Sequence, residues 1–183
     1  MVQNVTQSID FLPTLIELGG GTVPQWLSGH SVKPFLDGID HQRPDWVTSQ
    51  YHAEDANTGV FMVRKGDWKY LQYGHYLSAF RNYSAQLFNV ETDGAELHNV
   101  IADHADIAEE MENLLRSTFD YELADCLAKQ EDFRIFEEFW WSKNSEYEMR
   151  KLMEKHYIGF DDDDWRKVIE WRQQFMEGRP CGE

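Results

Sequence analysis

The sequence predicts an α+β fold: a small antiparallel sheet of about four strands, packed by a long amphipathic helix and followed by a helical tail. Three observations carry this. Residues 46–51, 60–64, 68–73 and 86–90 form short runs rich in β-branched and aromatic side chains. From 105 to 129 the spacing turns helical, with Ile107, Met111, Leu114, Leu115, Phe119, Leu123 and Cys126 in one stripe and Glu109, Glu110 and Glu112 off it. Residues 133–157 and 165–176 stay helix-prone and are crowded with aromatic side chains.

Each element has its own local signal. Lys65-Gly66-Asp67 joins the second and third runs and is short enough to require a tight antiparallel hairpin. In the second run Val60 and Met62 alternate with Phe61 and Val63, so both faces are apolar and the strand is expected to be central and covered on each side. Ahead of the sheet, Ser8 or Asp10 is expected to cap a short helix that tolerates Pro13 in its first turn. That helix has an apolar side of Phe11, Leu12, Leu15, Ile16 and Leu18 and stops at Gly19-Gly20-Gly21. Residues 23–38 read as an irregular connector. The chain thus divides into helix and connector (1–45), sheet plus helix (46–130) and aromatic-rich helical tail (131–183).

Composition narrows the partners. At 183 residues, 42% hydrophobic and 14% aromatic, the chain can bury a core. A formal charge of −16 with no basic patch repels a phosphate backbone, so nucleic acid is not expected as a partner. No window has the uninterrupted apolar run of a membrane helix, and residues 1–20 lack a basic leader with an apolar core, so no membrane partner is expected and the compartment stays open. Cys126 and Cys181 lack metal-ligand spacing and allow at most one disulfide. The triplets starting at Asn4 and Asn82 match a glycosylation pattern too short to carry weight.

Three blocks in order carry a family resemblance: Ser8-Ile9-Asp10-Phe11-Leu12-Pro13-Thr14-Leu15, then Phe61-Met62-Val63-Arg64-Lys65-Gly66-Asp67-Trp68-Lys69-Tyr70, then the stretch from Gln86-Leu87-Phe88-Asn89 to Glu96-Leu97-His98-Asn99. They resemble the C-terminal third of sulfatases of the alkaline-phosphatase superfamily, most of all the arylsulfatase K group and related bacterial sulfatases, over roughly residues 2–104. Asn89 and Gly94 stand where the family usually has Asp and Pro, and both keep turn chemistry. The resemblance implies a C-terminal subdomain of an alkaline-phosphatase-like α/β enzyme, docked beside a large domain that holds the chemistry. There a cysteine or serine in a C/S-x-P/A-x-R motif is converted to formylglycine, and a calcium ion neutralises the sulfate oxygens. The nearest string here, Cys126-Leu127-Ala128-Lys129-Gln130, has Gln in place of Arg, and no calcium ligand of the family maps onto the chain. No catalytic residue and no metal ligand is therefore assigned, calcium is implied only for the parent enzyme, and the chain alone is expected to be inactive. The implied partners are an N-terminal catalytic sulfatase domain or neighbouring subunit, and a small sulfated substrate.

One site candidate emerges. His52 follows a strand whose end faces the substrate cleft in similar sulfatases, where an imidazole could donate to a sulfate or leaving-group oxygen; a strand-end histidine is, however, more often a surface or packing residue. Four other features have plainer readings. Arg64, Lys65 and Lys69 are expected in ordinary ion pairs rather than in a sulfate clamp. The run Asp161-Asp162-Asp163-Asp164 lacks the pattern of a calcium loop and is expected to cap a helix. Cys126 is expected to be a buried structural thiol. Trp140, Trp141, Trp165 and Trp171 are expected to bury against the missing domain or a neighbouring subunit. The rival to this reading is a stand-alone binding or assembly module with the same fold, or part of a phosphonate or phosphate ester hydrolase of the superfamily. The abrupt structured start at Met1-Val2 favours a truncated frame over an independent module.

Overall fold

The computed structural model describes residues 5–39, 43–52, 59–75, 83–178 and 181. Asn4, Asn82 and the polar segment that follows His52 lie outside them. The sheet contains β1 (Trp46–Tyr51), β2 (Val60–Lys65), β3 (Trp68–Tyr73) and β4 (Gln86–Asn89), in sequence order and antiparallel throughout. The hairpin at Lys65-Gly66-Asp67 pairs Lys65 with Trp68, and Gly66 supplies the positive φ of 56° that the turn needs.

Register explains the core. Thr48, Val63, Tyr70 and Leu87 fall in one cross-strand row, with Phe61 two residues from Val63 on the same face. α3 (Ala105–Thr118) lies across this face and contributes Ala108, Met111 and Leu115 to the cluster. Phe61, Val63, Leu87 and Leu115 are wholly buried there, each burial being worth about 1.5–3 kcal/mol. The opposite face is less covered than expected, with Val60 and Met62 only half-buried, while Val47 and Phe88 are buried.

Ahead of the sheet, a 3-10 turn at Ser8–Asp10 leads into α1 (Phe11–Leu18), which ends at Gly19. Neither Ser8 nor Asp10 caps α1 through its side chain; the Asp10 carboxylate instead accepts from the backbone N–H groups of Gln7 (3.0 Å) and His30 (2.8 Å) and from Arg43 (2.5 Å). That hold ties the connector to the helix. The connector also contains one helical turn, α2 (Lys33–Leu36), started by Pro34, where an irregular stretch was expected.

The stripe from 105 to 129 is two helices, not one. α3 stops at Thr118, Phe119 is extended, and the Asp120 carboxylate accepts from Leu123 N–H at 2.9 Å to begin α4 (Tyr121–Ile135). The Ser117 and Thr118 hydroxyls donate to the Leu114 carbonyl, a local bond that competes with helix propagation. Residues 133–157 are also interrupted. A wide π turn (Phe136–Trp140) and a 3-10 turn (Trp141–Lys143) precede α5 (Glu146–His156), which a reciprocal Ser145 and Glu148 capping box initiates. α6 (Asp162–Met176) closes the chain, with Asp161 accepting from the N–H groups of Asp163 and Asp164 as expected of a cap.

Two expectations for this tail are corrected. Cys126 is buried but is no free thiol: it is disulfide-bonded to Cys181, 55 residues away. Trp141, Trp165 and Trp171 need no missing partner, because α5 and α6 fold back onto the irregular turns, whereas Trp140 stays 44% exposed. Trp141 stacks on Trp165, the Arg172 guanidinium sits 4.4 Å over the Trp141 ring, and Phe136 meets Trp171 edge-on. α1 leaves a run of large apolar side chains in solvent, with Phe11 72% and Leu15 63% exposed and Leu12 and Leu18 also exposed, and the tail leaves Phe139, Trp140 and Tyr147 exposed as well. No described helix is long and apolar enough to cross a membrane.

Candidate functional site

Three chain ends converge where β1 finishes, β2 starts and β3 finishes, since Tyr51 pairs with Val60 and Val60 with Tyr73. His52, Gly59 and Gly74 are the next residues outward. Gly74 N–H donates to the Gly59 carbonyl at 2.8 Å, which carries the ladder one step past the regular strands. His52 is exposed at this edge, yet its ring meets the buried Phe61 edge-on, with centroids 5.2 Å apart and planes at 70°. The imidazole is therefore anchored on one side by the core and open on the other.

Under this sheet end lies Asp125 of α4, only 1% exposed. Gly59 N–H donates to its Oδ1 at 3.3 Å. Glycine is required at both neighbouring positions by close approach: a Cβ on Gly74 would stand 2.1 Å from Asp125 Cγ, and one on Gly59 2.8 Å from His52 Cε1. One turn along, Lys129 is also buried; burial pushes its ammonium below the ordinary lysine range, with Asp125 and Asp132 opposing the shift.

Beside this cluster is a cleft of about 420 Å³ lined by Tyr73, Gly74, His75, Arg116, Tyr121 and Asp125 among others. Arg116 is committed within it: it bonds Glu112 and Glu122, each at 3.0 Å, and lies 4.6 Å over the Tyr121 ring. Burial pushes the Tyr121 phenol well above the ordinary tyrosine value, and the Glu112 and Glu122 charges push the same way against Arg116. The phenol stays neutral and donates to Glu112 at 3.2 Å. Among its described lining residues the cleft offers hydrogen-bonding groups and no uncommitted lysine or arginine, so a sulfate group gains little from it.

Sequence candidates elsewhere fall where their plainer readings put them. Lys65 pairs with Glu110 (3.0 Å), Lys69 with Glu96 (2.6 Å), and Arg64 Nε donates to the Gly66 carbonyl, all away from the His52 end. The carboxylates of residues 161–164 do not fit a calcium ion, because Asp161 is used by backbone N–H groups, Asp162 by Arg150, and Asp163 by Arg166 and Lys167. Among the described residues no three His, Cys, Asp or Glu side chains gather into a metal-holding group. Sequence reading missed Asp125, Gly59 and Gly74; the available signals were an aspartate set directly before a stripe residue, a glycine directly before the second strand and a glycine directly after the third.

A four-stranded antiparallel sheet, closed by one helix and carrying the hairpin and turn blocks of the sequence, defines a C-terminal domain of the sulfatase type. Residues 1–121 match the family described as N-sulphoglucosamine sulphohydrolase, C-terminal, and the chain belongs to that family. Arylsulfatase K of Danio rerio is 36% identical over 117 residues, covering 62% of this chain and 22% of the relative. Among solved structures, a putative sulfatase from Bacteroides thetaiotaomicron shares 30% identity with a TM-score of 0.52, covering 59% of this chain and 23% of that one. A 2-O GAG sulfatase shares 28% with the same TM-score, covering 60% and 23%. The chain spans less than a quarter of the length of the curated relatives it matches.

Proposed function

We propose that this chain serves as the C-terminal part of a sulfuric ester hydrolase, where it supplies one wall of the substrate cleft and packs against the domain that performs sulfuryl transfer. The observation that carries the proposal is the exposed apolar face of α1. Phe11, Leu12, Leu15 and Leu18 stand in solvent on a helix whose polar side is tied to the connector, and a contiguous helical stripe of that size calls for a covering body. On this reading that body is an N-terminal catalytic domain, which a chain spanning less than a quarter of its relatives' length leaves room for. Among the 183 residues no C/S-x-P/A-x-R string exists to provide the nucleophile, so formylglycine and calcium chemistry belong to the other portion of the enzyme.

Within the wall, His52 is the group proposed to meet substrate. Its open edge can donate one hydrogen bond to a sulfate or leaving-group oxygen, and its other edge is fixed against Phe61, so little rotamer freedom is lost on binding. The family description and the name of the 2-O GAG sulfatase favour sulfated sugars as the substrate class, while the curated relatives carry the name arylsulfatase. Replacing His52 with Ala in the enzyme assembled from this chain and its catalytic portion is expected to lower kcat/KM for a sulfated substrate about tenfold, the worth of one such hydrogen bond. Unchanged kinetics would remove His52 from the site and leave the wall with a packing role only.

A further inference from the structure

Resting on the reading of His52 as the group that faces substrate, we propose that Asp125 is its positioning residue, a buried carboxylate on α4 that clamps the two glycine-bearing chain ends against which His52 is held. Asp125 touches Gly59 through the N–H···Oδ1 bond and presses its carboxylate plane onto Gly74, and these two glycines bond to one another. His52 in turn packs against Gly59 and Phe61. Any outward shift of Asp125 therefore loosens the floor beneath the imidazole without touching its open edge. The clamp also arrives from an unexpected direction. Asp125 lies beyond residues 1–121 that match the family, on the helix whose next residue, Cys126, is bonded to Cys181 at the far end of the tail. α4 thus meets this end of the sheet through Asp125 as well as through Tyr121, whose ring lies 5.5 Å from that of Phe61, and the disulfide fixes that helix to the tail.

A merely structural aspartate and a positioning one respond differently to removal. Asp125→Asn keeps an oxygen at Oδ1 for the Gly59 N–H, whereas Asp125→Ala removes it and leaves a void beneath both glycines. The test uses the full 183-residue chain, isotope-labelled and without substrate, and reads His52 ring resonances together with exchange of the Gly59 amide. In the native chain that amide is expected to exchange at least about a hundredfold more slowly than an unprotected one. Asp125→Asn should keep the His52 signals and this protection. Asp125→Ala should cost at least about tenfold in protection and move the His52 ring signals toward those of a free histidine, while the Val63 and Leu87 methyl signals of the core stay in place. Identical His52 signals in Asp125→Ala and the native chain would overturn the proposal, as would free-rate exchange of Gly59 in the native chain. Should Asp125→Ala not fold, the native exchange rate and the Asn variant decide: retained protection in both supports the clamp, and loss in either contradicts it. Because no substrate is involved, this result and the kinetic test of His52 can fail independently.

Discussion

Asp10 and Arg43 show how much of this protein is decided by single side chains that sequence patterns undervalue. Their side chains are each 4% exposed and 2.5 Å apart, and the same carboxylate also collects two backbone N–H groups. Burial pushes the Asp10 carboxyl up, but the His30 and Gln7 donors and Arg43 outweigh it, so the net shift is below the ordinary 3.8. A depressed folded-state value means that this stabilisation is complete above pH 3.8 and is lost as pH falls through the lower folded value. Asp10→Ala should cost about 3–5 kcal/mol, because it strands Arg43, whose Nε and Nη1 are already buried with no hydrogen-bond partner among the described residues. Urea unfolding at pH 7 and at about pH 3 measures both effects; an Asp10→Ala midpoint equal to the native one at pH 7 would show the pair to be inert. The sequence suggested Asp10 only as a cap, since its partner lies 33 residues away and no local spacing could announce it. The ion pairs of Lys65 and Lys69 were foreseeable for the opposite reason: cations on strands of so acidic a chain find carboxylates wherever they fall.

Among the elements, strands were more legible than helices. Alternation, a Gly-centred turn and β-branched runs gave all four strands to within a residue, because pairing with a neighbour leaves each strand little freedom over where it ends. The long stripe after residue 105 misled because apolar spacing continues across the break at Phe119: Cys126 is buried like Met111, but Leu123 is 40% exposed, and only the cap at Asp120 marks the break. The tail's closure was illegible for a related reason, since a pairing between cysteines 55 residues apart follows from the three-dimensional path and not from spacing. A cross-link over a loop of 55 residues is worth about 4 kcal/mol in the chain-entropy account. Cys181→Ser should therefore lower the urea midpoint clearly, with loss of signal from the stacked Trp141 and Trp165 pair preceding loss of the sheet. An unchanged midpoint would mean that α4 to α6 hold together without the bond.

At the scale of the whole molecule, two surfaces divide the work. The tail packs Trp141, Trp165 and Phe175 within itself and is joined to α4 by the disulfide, although Phe139, Trp140 and Tyr147 stay exposed, whereas α1 leaves an apolar face outward, opposite the side that Asp10 and Thr14 tie to the connector. Composition alone assigned that outward role to all four tail tryptophans, of which Trp141, Trp165 and Trp171 pack within the chain and Trp140 is exposed, because helical stripes do not reveal whether their partner is another helix of the same chain. Between the surfaces sits the open end of the sheet, with His52 at its edge and Asp125 beneath. Among the described residues no three His, Cys, Asp or Glu side chains gather there into a metal-holding group. The most direct measurement is the assay of the purified 183-residue chain with an aryl sulfate and added calcium. The account predicts sulfate release no faster than in buffer; reproducible, enzyme-dependent release that scales with chain concentration would contradict it.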